Sequence, residues 1–100
     1  MAQHVDIVKS DPLAGTAQVV ARVVLDDGGH IEFEAANRDY WREALTRAVS
    51  MEPTDDPERF LVAVSERMDG TYLFASEPHD EHECERPLQV GDEYPAPAAV

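Results

Sequence analysis

The chain has one cysteine, one lysine and one tryptophan in 100 residues. A lone cysteine excludes an intramolecular disulfide, so the fold cannot depend on oxidation. No apolar run approaches the roughly 18 residues that span a bilayer. The opening MAQHVDIVKSD has no charged region followed by an apolar stretch, so no signal peptide is expected. A soluble, cytoplasmic protein is the expectation. Neither G-x-x-x-x-G-K-[ST] nor G-x-G-x-x-G occurs, so no nucleotide cradle is indicated.

Cations are also scarce. Lysine and arginine total 8 against 21 aspartates and glutamates, a formal net charge of -13. Seven of the eight are arginine, a bias of the kind GC-rich coding sequence produces. Such a chain repels phosphate, which argues against nucleic acid as a partner. It also avoids anionic membrane surfaces. Basic proteins, polyamines and metal ions remain as partners. Acidity of this kind equally serves solubility or salt adaptation, so by itself it assigns no function.

What is present is one domain's worth of chain, 43% hydrophobic, enough for a core. A domain this small buries roughly 60–65% of its unfolded surface. Residues 3–9 read as a short strand, with a turn at Asp11-Pro12. The β-branched run AQVVARVVL, residues 17–25, ends at Asp26-Asp27-Gly28-Gly29, a hairpin signal. HIEFEA, residues 30–35, returns as the next strand. A three-residue loop over Asp27, Gly28 and Gly29 sets Leu25 opposite Ile31, Val23 opposite Phe33 and Ala21 opposite Ala35. Arg22 then meets Glu34 on the other face, an opposite-charge pair.

A helix is expected over residues 39–50, capped by Asn37 or Asp39. Tyr40, Trp41, Ala44, Leu45, Ala48 and Val49 recur at helical spacing and make its apolar face. Glu43 and Arg47 form an i,i+4 pair in the favourable order. A second helix is expected from Pro57 to Arg67, with Asp56 as N-cap and Pro57 as first helical residue. Phe60, Leu61, Val64 and Met68 form its stripe. Asp69-Gly70 ends it, and TYLFAS, residues 71–76, is a last strand.

The reading is therefore α+β: a small antiparallel sheet of three to four strands with two helices on one face, in the order β-β-β-α-α-β. The domain spans residues 1–76. Residues 77–100 carry four prolines and an acidic excess, and read as an acidic tail with little regular structure.

Two strands are apolar on both faces. Val19, Ala21, Val23 and Leu25 alternate with Val20 and Val24, and Tyr72 and Phe74 alternate with Leu73 and Ala75. A sheet with one wet face should alternate apolar and polar. Val20, Val24, Tyr72 and Phe74 are thus candidate interaction residues, covered by the tail, a second copy or another partner.

SEPHDEHECERP, residues 76–87, holds the most legible chemistry. His79-x-x-His82-x-Cys84 offers imidazole and thiolate, which are zinc ligands. Structural zinc sites usually bring a second ligand pair from elsewhere, and His4 and His30 are the only other histidines. The preferred reading is a solvated acidic segment. The P-C-x-x-C half of a zinc deaminase is absent. Surrounding carboxylates oppose formation of a Cys84 thiolate nucleophile. Asp26-Asp27 misses calcium-loop spacing, and Glu32 and Glu34 read as a solvated edge-strand face rather than a catalytic pair. Tyr40-Trp41 reads as core packing.

The leading functional expectation is a small non-enzymatic interaction protein that binds a protein or cationic partner, with self-association as a homodimer through the second sheet face. The alternatives are a zinc protein using His79, His82 and Cys84, and an acidic nucleic-acid mimic that blocks a basic groove.

Overall fold

A computed structural model describes residues 3–11, 13–68, 73–76, 78–80 and 90–93, with His79 and Asp80 described by backbone pairing alone. Its strands are β1 (Gln3–Asp11), β2 (Thr16–Leu25), β3 (Ile31–Glu34), β4 (Leu73–Ala75) and β5 (His79–Asp80). Its helices are α1 (Arg38–Val49) and α2 (Pro57–Arg67). The sheet is antiparallel in the order β3-β2-β1-β4, and β5 also pairs with β1. This is the α+β fold the sequence implies.

Local chemistry explains the elements. The β2–β3 hairpin closes with Gly29 in a left-handed conformation, φ 81°. Gly29 N–H donates to the Asp26 carbonyl at 3.1 Å, and Asp26 N–H to the His30 carbonyl at 3.0 Å. Glycine adopts this conformation without steric cost. The register beyond it pairs Leu25 with Ile31, Val23 with Phe33 and Arg22 with Glu34, as expected. Asn37 Oδ1 accepts the Tyr40 N–H and caps α1, and Asp56 Oδ1 accepts the Arg59 N–H and caps α2. The exposed Glu43–Arg47 pair closes at 2.6 Å.

The core lies between the sheet and the helices. Val5, Ile7, Ala21, Val23, Leu25 and Phe33 meet Leu45, Val49, Phe60, Leu61 and Val64. Phe33 and Phe60 pack edge-on, 6.4 Å between ring centres. Trp41 packs against this cluster. Tyr40 does not: it is exposed and packs edge-on against Trp41 at 5.4 Å. The apolar face of α1 is narrower than its spacing suggested, since Ala48 is exposed as well as Tyr40.

A bulge reorganises β2. Ile7 pairs with Ala21 but Val8 pairs with Val19, leaving Val20 as the extra residue. Strict alternation would put Val20 on the face away from the helices, with Val19 on the core face. Instead Val20 packs against the helix-side core. Val8 alternates with the core residue Ile7, so Val8 and its partner Val19 face away from the helices. Both are fully buried. Phe74 sits opposite Val8, while Leu73 and Ala75 pack on the helix side as expected.

Two segments beyond residue 76 join the sheet. β5 pairs with the free side of β1 at Gln3 and His4. Three steps along β1, from Ile7 to His4, match four along the partner, from Ala75 to His79. Between them Ser76 stays bonded to Asp6: its N–H donates to the Asp6 carbonyl, and its Oγ accepts the Asp6 N–H, each at 2.9 Å. On the other side of the pair, Glu93 bridges to Gln18 of β2. There the Val19 N–H donates to the Asp92 carbonyl at 3.0 Å, and the Gly91 N–H to the Val19 carbonyl at 2.8 Å. These described pieces of the acidic tail are therefore docked on both sides of the β1–β2 pair.

Candidate functional site

Strand alternation collects His4, Asp6 and Val8 of β1, Val19, Arg22 and Val24 of β2, Glu32 and Glu34 of β3, and Phe74 of β4 on the face opposite the helices. Within the single chain His4, Asp6, Val8, Val19 and Arg22 are buried. Arg22 Nε donates to Asp6 Oδ1 at 2.9 Å, and His4 Nε2 lies 3.9 Å from Asp6 Oδ2. Exposed Glu34 reaches Arg22 Nη1 at 4.0 Å. Arg22 Nη2 is buried with no hydrogen-bond partner among the described residues.

This cluster was not visible in the sequence as a unit. Arg22 was legible as the partner of Glu34, but its closer partner is Asp6, directly across the β1–β2 pair. The signal was present in principle: pairing strand one with strand two in antiparallel register sets an aspartate opposite an arginine. The pair is a device of position. It fixes which residues of β1 and β2 face each other, because a one-residue slip would bury each charge without the other.

The candidate interaction residues separate. Val24 and Phe74 lie on the second face and are half-buried. Val20 lies on the opposite side, toward the helices. Tyr72 is outside the described residues. Of the candidate zinc ligands, His79 has its backbone in β5 opposite His4, and His82 and Cys84 are outside the described residues. Among the described residues no group of three or more His, Cys, Asp or Glu side chains is placed to hold a metal ion.

A second constellation sits at one end of the sheet. The β2–β3 turn and the start of α2 bring Asp26, Asp27, Asp56 and Glu58 around one groove, with Gln3 and Pro57 among its walls and no lysine or arginine among the described lining residues. Asp26 and Asp56 have structural roles. Asp26 Oδ1 accepts the His30 N–H at 2.8 Å, and Asp56 caps α2. The N-terminus of α2 supplies partial positive charge that offsets some of the repulsion. The groove is open, and its described lining residues include no serine, cysteine, lysine or histidine. Its chemistry is attraction of cations, through four carboxylates that the fold brings together from two segments about 30 residues apart in sequence.

No protein-family model matches the chain, and neither a curated protein nor a solved structure shows a significant match. No helix among the described residues is long and apolar enough to cross a membrane.

Proposed function

We infer that the chain is a small non-enzymatic interaction protein whose acidic groove receives a cationic segment of a protein partner. The observation that carries this reading is the convergence of Asp26, Asp27, Asp56 and Glu58 on one groove with no lysine or arginine among its described lining residues. The overall charge of -13 adds long-range attraction to the local one. A basic segment entering the groove meets the carboxylates of Asp26, Asp27, Asp56 and Glu58.

The experiment is isolation of the chain from its own cells at low ionic strength, followed by native mass spectrometry. The reading expects a basic polypeptide at fixed stoichiometry, released at about 1 M salt, where the screening length falls to about 3 Å. It also expects the partner to be lost in the double variant Asp27→Asn, Glu58→Gln. A partner retained by that variant, or held equally at high salt, contradicts the reading. The second sheet face gives less support to a homodimer, since five of its residues are already buried within one chain.

A further inference from the structure

We propose that the outer edge of β3 accepts an extended partner segment as an added strand, one that presents carboxylates toward α1. The argument begins with the hydrogen-bond ladder. The bond from Asp26 N–H to the His30 carbonyl fixes its phase. Antiparallel ladders alternate, so the backbone groups of Glu32 and Glu34 point inward to β2. Those of Ile31 and Phe33 point outward. β3 is the end of the strand order, and among the described residues no strand pairs with its outer side. Two N–H and two C=O groups thus face outward, the arrangement that strand addition uses.

This edge lacks the usual protections of a lysine, a proline or a bulge within Ile31–Glu34. What it has is Glu32 and Glu34, both exposed and both on the face away from the helices. These bear on who can dock. A second copy of β3 pairing antiparallel about Phe33 would set Glu32 against Glu34 on one face, a like-charge opposition that disfavours self-pairing. The occupant is therefore a different sequence.

Its chemistry follows from the helix side. The groove between β3 and α1 is lined by Ile31, Glu32, Phe33, Arg38, Asp39 and Arg42. Arg38 and Arg42 are four residues apart, on one face of α1. Neither guanidinium has an ion-pair or hydrogen-bond partner among the described residues, whereas those of Arg22 and Arg47 are both engaged. In a chain with 21 carboxylates, two unengaged arginines side by side along an open strand edge form a local cationic strip. Asp39 weakens that strip without cancelling it. An added strand alternates its side chains between the two faces. Those on the helix side meet Arg38 and Arg42, which form forked bonds to carboxylates. Those on the other side meet Glu32 and Glu34, where neutral or basic residues fit.

The test uses the full chain and two end-capped synthetic peptides, one alternating Glu with Thr and one alternating Lys with Thr. Amide chemical shifts and hydrogen exchange are followed at Ile31 and Phe33. The Glu–Thr peptide is expected to shift and protect both amides. The double variant Arg38→Glu, Arg42→Glu is expected to bind it about tenfold more weakly, a loss of about 1.4 kcal/mol. Ile31→Pro is expected to melt cooperatively, because the N–H it removes points away from β2, yet to lose binding. Should that variant fail to fold, the exposed arginine pair still decides the question. Protection of Ile31 and Phe33 by the Lys–Thr peptide at equal or higher affinity overturns the carboxylate assignment. No protection with either peptide overturns the docking edge itself, and protection without peptide in a sedimenting dimer assigns the edge to a second copy instead.

Discussion

Arg22 reaches across the β1–β2 pair and donates Nε–H to Asp6 Oδ1 at 2.9 Å, with both side chains buried on the face that carries no helix. The pair ties the two central strands together in one register. Burying two charges is expensive, and the attraction between them offsets that cost only while both are present.

Removing one partner should therefore hurt more than removing both. Asp6→Ala or Arg22→Ala is expected to lower stability by about 3–5 kcal/mol. The double variant Asp6→Leu, Arg22→Met should recover most of that loss. Urea unfolding of the four proteins measures the coupling. Single variants within about 1 kcal/mol of the parent would show that the pair is solvated rather than buried.

The bulge at Val20 makes a second comparison informative. Val19 is fully buried and Val20 only partly so. Val19→Thr should cost about 1–3 kcal/mol, the penalty for burying a hydroxyl without a partner. Val20→Thr should cost less than about 1 kcal/mol by the same reasoning, because water reaches that position. Equal losses would contradict the assigned bulge.

Helix termini offer changes of opposite sign. Ser50 ends α1 in the left-handed region, φ 58° and ψ 36°. That conformation costs a non-glycine residue about 1–2 kcal/mol. Ser50→Gly should raise stability by about 1 kcal/mol. Asp56→Ala removes the α2 cap and should lower it by about 1 kcal/mol, whereas Asp56→Asn should be close to neutral. Thermal melts resolve both, since about 1 kcal/mol moves the midpoint of a domain this size by about 4–8 °C.

The buried second face also makes a statement about assembly. His4, Asp6, Val8, Val19 and Arg22 are enclosed within one chain, so stability should not depend on a second copy. The unfolding midpoint is expected to stay constant as protein concentration is varied a hundredfold. A midpoint that rises with concentration would show that a partner copy stabilises the fold.

The parts that were legible in the sequence are those governed by neighbours along the chain. Asp56-Pro57 announced the start of α2, Glu43 and Arg47 their ion pair, and Asp27-Gly28-Gly29 the hairpin and its register. What was not legible depends on partners far away in sequence. The bulge that sends Val20 toward the helices arises from pairing with β1, and nothing within residues 16–25 signals it. The burial of Asp6 depends on Arg22 and on Ser76, 70 residues away. The docking of Val90–Glu93 on β2 was hidden for the same reason, since acidic, Pro-rich composition reports local preference only. For the acidic groove, Asp26 and Asp27 were explained as turn residues and Asp56 as a cap, while nothing singled out Glu58. Only the fold shows that the two segments share one groove.

The most direct test of the interaction role is a titration of the isotopically labelled chain with a short arginine-rich peptide, followed by amide shifts. The account predicts saturable shifts concentrated at residues 26–29 and 56–58, lost in Asp27→Asn, Glu58→Gln and suppressed at about 1 M salt. Weak, non-saturating shifts spread over carboxylates elsewhere, at Glu43 and Glu66 as much as at the groove, would contradict it.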